Sequence, residues 1–195
     1  MDTPIKTRKT VALVLNRGDG QPVTTAFRRT ALGRDDPLAR HREVAWEGRG
    51  DMAAGRATFI GELEVDRYPH TETIVVLDGE LQLRAEADFE PSSPPPAQTL
   101  LGPAPRCRSD NVFTDDKTRC RAGTWDSTGY HRIVRPHPVN EFMHLLAGSV
   151  RFECADGTAV TANAGDSVYV PQGEPVGWES TQRVAKYYVV QTVQD

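Results

Sequence analysis

Arg135, His137 and Glu141 place a guanidinium, an imidazole and a carboxylate within seven consecutive positions. A guanidinium fork suits a carboxylate or a similar anion, and an imidazole beside a carboxylate is a potential acid/base pair. The same three residues admit a plainer reading. Arg135 and Glu141 could simply pair with each other at the rim of a folded unit, each satisfying a charge that is costly alone. A second, smaller set is His70 and Glu72. One residue separates them, so on a strand they face the same way. One imidazole and one carboxylate are too few for a metal centre, and a rim histidine is the simpler account of His70. Cys107, Cys120 and Cys154 form an odd set without CxxC spacing, which fits reduced thiols better than a disulfide framework or a zinc site.

The elements that must position these groups read as strands. Leu81, Leu83 and Ala85 alternate with polar residues, as do Val150, Phe152 and Cys154, and Val184–Val190 is a β-branched and aromatic run. Turn signals at Asp78-Gly79, Ala147-Gly148, Asp156-Gly157 and Gly165-Asp166 separate them, the spacing of a barrel or sandwich. The one helix expected is short, near residues 37–45, with Asp36 as cap and Pro37 in the first turn. Six of the fifteen residues from Pro91 to Pro105 are proline, which predicts an extended linker between two β units. The units themselves look alike. Glu72–Leu83 lies over Glu141–Phe152 without a gap, each a strand, a glycine turn and a second strand.

Glu141 is followed after six residues by Gly148. Further on comes Gly165-Asp166-Ser167-Val168-Tyr169-Val170-Pro171-Gln172-Gly173, its first glycine seventeen positions past Gly148. Together these resemble the two halves of the cupin signature. Gly123–Thr128, Trp178 and Lys186–Val190 sharpen the resemblance toward the ureidoglycine aminohydrolase-like and ethanolamine-utilisation cupins. The resemblance implies an all-β, jelly-roll-like cupin barrel (a double-stranded β-helix) on a bicupin plan. Residues 1–90 would be an N-terminal cupin-like unit, 91–105 the linker and 106–195 the complete C-terminal barrel. The first unit lacks a Gly-Asp-x4-Pro segment after its hairpin. Strands from residues 10–28, a partner subunit or an open sheet edge would have to make up for it.

Metal-binding cupins supply His-x-His-x3-Glu and a later His. Those positions fall here on Arg135, His137, Glu141 and Val176, so only His137 and Glu141 remain as candidate ligands. In the aminohydrolase pattern, Glu-x-His-x3-His, His137 alone matches. A permanently charged arginine repels a metal, so a divalent metal is not the favoured occupant. The expected site therefore has His137 and Glu141 as its catalytic pair, with Arg135, Tyr130 and Trp178 as substrate-binding residues. His131 and Arg132 approach the mouth, and Tyr169 and Trp178 supply core or cavity wall. His144, three positions past Glu141, faces the other side of its strand and packs there.

Composition removes other classes. The 195 residues carry a net charge of −4, and the basic excess is confined to residues 1–50, so no nucleic-acid footprint is expected. The longest apolar runs are far short of the roughly 20 residues that cross a bilayer. No secretory signal opens the chain, and a cytoplasmic protein is expected. No phosphate-cradling loop or nucleophile motif is present. The resulting expectation is a cupin that binds or converts a small, anionic metabolite, with a metal-free sensor or a structural, oligomer-forming cupin as alternatives. The open edge of the first unit predicts a homodimer.

Overall fold

The computed structural model describes residues 12–31, 36, 40–48, 53–58 and 89–193. Glu141–Phe152 forms the expected hairpin, β9 (Asn140–Ala147) and β10 (Ser149–Glu153), around a left-handed Gly148 (φ 81°). A Cβ at Gly148 would collide with the Arg183 carbonyl, so both the turn and the close approach require glycine. The chain continues through β11 (Ala159–Asn163), β12 (Ser167–Val170), β13 (Pro175–Ser180) and β14 (Val184–Gln191). Upstream lie β6 (Cys107–Asp115), β7 (Cys120–Ser127) and β8 (Tyr130–Pro136).

These strands form two antiparallel sheets. β11, β10, β13 and β8 make the four-stranded one. The larger sheet runs β12, β9, β14, β7 and β6, with β1 (Leu13–Asn16) added beside β12 and β5 (Glu90–Ser92) beside β6. Met143, Leu145, Val168, Val170 and Val184 from the large sheet meet Val150, Phe152, Ala162, Val176 and Trp178 from the small one in a single core. Period-two alternation delivers them: in β10 Val150 and Phe152 are buried, whereas Ser149, Arg151 and Glu153 are not. Burying each of the largest side chains contributes about 1.5–3 kcal/mol. The result is the expected all-β cupin barrel.

β1 joins the large sheet as its edge strand. It pairs antiparallel with β12, Leu13 against Tyr169 and Val14 against Val168. The Gly165-Asp166 turn is built to receive it. The Asp166 carboxylate accepts from Arg17 Nη1 (2.6 Å), from the Gly18 amide (2.9 Å) and from the Asn163 amide (2.9 Å). A Cβ on Gly165 would lie 2.8 Å from the Gly18 Cα. A three-stranded sheet, β2 (Arg28–Arg29), β3 (Arg42–Glu47) and β4 (Ala53–Ala57), joins the same region. Its Trp46 ring lies 4.8 Å from that of Tyr169, within a second cluster holding Leu13, Leu15 and Phe142.

One local expectation is corrected. The helix near 37–45 is not formed over residues 42–45, which belong to β3. Asp36, the expected cap, is buried with its carboxylate on Arg42 Nε (2.8 Å), so a tertiary ion pair overrides the local capping signal. The proline-rich stretch has local structure of its own: Glu90–Ser92 pairs with Ser109–Cys107, Ala97–Thr99 forms a 3-10 turn, and the Leu101 amide donates to the His131 carbonyl. The first hairpin, Glu72–Leu83, lies outside the described residues, as do His70 and Gly79. No helix among the described residues is long and apolar enough to cross a membrane.

Candidate functional site

β9 points Glu141, Met143 and Leu145 into the barrel. β14 faces it with Lys186, Tyr188 and Val190 in register: Lys186 against Leu145, Tyr188 against Met143 and Val190 against Glu141. His137 follows β8 in the loop to β9. Its amide donates to the Glu174 carbonyl (2.8 Å), and its carbonyl accepts from the Gly173 amide (2.8 Å). The Pro171-Gln172-Gly173 segment thus holds His137 in place, with Gly173 left-handed at φ 86°. Asn140 braces the same corner by accepting from the Tyr169 hydroxyl (3.1 Å) and the Gln172 amide (2.9 Å).

Glu141 is the hub. One oxygen lies 2.9 Å from His137 Nε2 and the other accepts from Lys186 Nζ at 2.7 Å. Burial opposes the charge of Glu141. The Lys186 ammonium and the His137 hydrogen bond overcome it, holding the carboxyl well below the usual carboxylate range. An ionised carboxylate only accepts, so Nε2 carries the hydrogen in this network and Nδ1 is the ring nitrogen left over. Nδ1 is buried and has no partner. The carboxylate therefore does for His137 what the acidic member of a catalytic triad does for its histidine: it fixes the tautomer and leaves the other nitrogen to take or give a proton.

Lys186 itself is packed under aromatic rings, 4.7 Å from the centroid of Trp125 and 5.0 Å from that of Trp178. Trp178 in turn stacks on Tyr130 at 5.5 Å. Burial pushes the Tyr130 phenol above its ordinary range, so it is a neutral hydroxyl near pH 7. Both residues thus form wall and floor behind Lys186.

Arg135 does not pair with Glu141. A bulge in β8 decides where it goes: Arg132 pairs with Trp178 and Arg135 with Val176, three steps on β8 against two on β13. Both arginines therefore share the face on which Val176 and Trp178 pack, and Ile133 between them is exposed. Arg132 is buried. Its Nη2 donates to the Val176 carbonyl (3.2 Å), while its Nε has no partner. Sequence reasoning missed Lys186 as a site residue and placed Arg132 only near the mouth. The available signal was a lysine at an inward position of an apolar strand, which demands a buried carboxylate.

The donor set does not fit a metal. Both Glu141 oxygens are engaged, Lys186 places a cation 2.7 Å from one of them, and Val176 and Arg135 fill the remaining positions of the cupin ligand pattern. His144, on the other face of β9, has Nδ1 3.0 Å from the Ser167 hydroxyl and stacks against Tyr187. On the outer face of the four-stranded sheet, His131, Glu153 and Glu179 bring ligand atoms within 4.8 Å of one another, and Arg151 bridges the two carboxylates.

Comparisons with known proteins agree with this architecture. Residues 114–188 match the EutQ-like cupin domain family. A solved protein of unknown function from Pseudomonas syringae pv. tomato str. DC3000, assigned to the DUF861 family, is 31% identical over 92% of this chain and 99% of its own, with a TM-score of 0.83. Clostridium difficile EutQ is 17% identical over 48% of this chain and 76% of its own, with a TM-score of 0.39. A putative ethanolamine utilization protein from Salmonella typhimurium LT2 is 19% identical over 46% and 72%, also with a TM-score of 0.39. No curated protein matches the chain.

Proposed function

We propose, for a chain that belongs to the DUF861 family of EutQ-like cupins, that the C-terminal barrel binds a small anionic metabolite beside a histidine ready for proton transfer. The observation that carries this reading is the pattern of satisfied and unsatisfied groups. Glu141 is saturated by His137 and Lys186, while buried Arg132 Nε and His137 Nδ1 have no partner. Buried polar atoms without partners are costly, and an anion placed against the arginines removes the penalty. Arg132 and Arg135 hold the ligand, Tyr130 and Trp178 form the wall, and His137 Nδ1 is the acid/base atom.

Aminohydrolase-like conversion is the finer form of the proposal. Of that pattern only His137 is kept, so any proton movement runs through its Nδ1 with Glu141 as the positioning group. The proposal also takes the protein as a cytoplasmic homodimer, an association supported by exposed Val112 and Phe113 on β6. The test is calorimetry with small carboxylates on protein purified without chelators, together with metal content by mass spectrometry. Carboxylate binding is expected in the wild type and absent from Arg132→Gln/Arg135→Gln, which removes both guanidinium charges, with the fold of the variant checked by circular dichroism. Near-stoichiometric metal that disappears in His137→Ala would overturn this reading in favour of a metal enzyme.

A further inference from the structure

The charges in the barrel interior do not sum to what one carboxylate ligand can neutralise. Lys186 is matched by Glu141 at 2.7 Å. Arg132 and Arg135, brought to one face by the β8 bulge, have no such match. Glu141 is the carboxylate that acts on Arg132 among the described residues, and both of its oxygens are already taken. The Arg135 side chain makes no hydrogen bond or ion pair among the described residues. The pKa of Arg132 is pulled down first by burial and further by the nearby charge of Arg135. The phenol of Tyr130 stays neutral and supplies no charge.

We propose that the site selects a small dianion over a monoanion of similar size. This rests on the reading that the barrel binds an anion, and adds the number of charges that the anion carries. The geometry behind it is two guanidiniums three residues apart on a bulged strand, facing the same interior, one of them buried with a free Nε. A monoanion leaves one guanidinium in this partly dry site without a counter-charge. A dianion, whether two carboxylates on a short chain or a single phosphate group, neutralises both, and it gives Arg132 Nε the acceptor it lacks.

The experiment is calorimetric titration of wild type, Arg135→Gln and Arg135→Lys with acetate, propionate, malonate, succinate and inorganic phosphate, at constant ionic strength. The wild type is expected to bind the best dianion at least about tenfold more tightly than acetate or propionate, the scale of one added charge-assisted contact. Malonate or succinate binding best identifies a dicarboxylate ligand, and phosphate binding best a phosphorylated one. In Arg135→Gln the preference should fall to near unity while monoanions still bind through Arg132, and Arg135→Lys should restore most of it. Equal affinity for acetate and malonate in the wild type overturns the dianion inference and leaves anion binding intact. No binding of any anion overturns both.

Discussion

Two clusters of alternating charge sit on opposite faces of this barrel. In the interior, Lys186, Glu141 and His137 form a chain whose side chains are 8%, 12% and 9% exposed. On the outer face of the four-stranded sheet, Arg151 joins Glu153 and Glu179 beside His131, at 42%, 29%, 38% and 36%. The residue types are nearly the same. What differs is water, and with it the consequence of losing one member. A cation removed from the inner chain leaves a carboxylate in a dry core, whereas one removed from the outer chain is replaced by solvent and salt.

The inner chain should therefore give the largest effect. Lys186→Met is expected to destabilise the protein by about 3–5 kcal/mol in denaturant unfolding, the scale for orphaning a buried charge. Lys186→Met/Glu141→Leu should recover most of that loss, because no charge is then left unpaired. An equal loss in both variants would show that Lys186 acts through packing alone. The same chain predicts an acid response. The folded pKa of Glu141 lies below its unfolded value, so its contribution is complete above the unfolded value of about 4.3 and is lost as pH falls toward the folded one. Wild type should lose stability on acidification below about pH 5, and the double variant should show a shallower slope over that window.

An intermediate effect belongs to the turn that receives β1. Gly165 has φ 88° and faces the Gly18 backbone, so Gly165→Val should destabilise by about 1–3 kcal/mol through strain and the displaced strand. Unchanged thermal stability would mean that β1 does not sit against this turn. The smallest effect is assigned to the outer cluster: Arg151→Ala should leave the unfolding midpoint where it was, and added salt should not distinguish it from wild type. A clear loss at low salt that salt abolishes would raise the outer cluster to a structural role.

The sequence exposes the features that depend on near neighbours. Alternation in β10, the Gly148 hairpin and the Gly165 turn all follow from residues within a few positions of one another. The His137–Glu141 contact is equally local, four residues apart. What escapes is set by distant partners or by a change of phase. The bulge in β8 moves Arg135 onto the face of Arg132, and no alternation pattern announces a bulge. Lys186 reads as one polar residue in a β-branched strand until the carboxylate 45 positions earlier is found beside it. The Asp36-Pro37 signal for a helix is genuine locally, but the buried pairing of Asp36 with Arg42 overrides it.

The seat of β1 on Asp166 also sets an order of events during synthesis. The Gly18 amide and its acceptor are 148 residues apart, so β1 leaves the ribosome long before its partner strand exists. At typical elongation rates of about 5–20 residues per second, that interval is roughly 7–30 s. During it Leu13, Val14 and Leu15 lack the β12 partner they have in the fold, and an open apolar edge is the kind that joins other chains. Closing so long a loop comes late in folding and slows it. What then holds β1 in place is the Asp166 carboxylate, which gathers Arg17, Gly18 and Asn163. The consequence is therefore kinetic as well as structural: the edge stays open until synthesis has delivered the turn that carries Asp166.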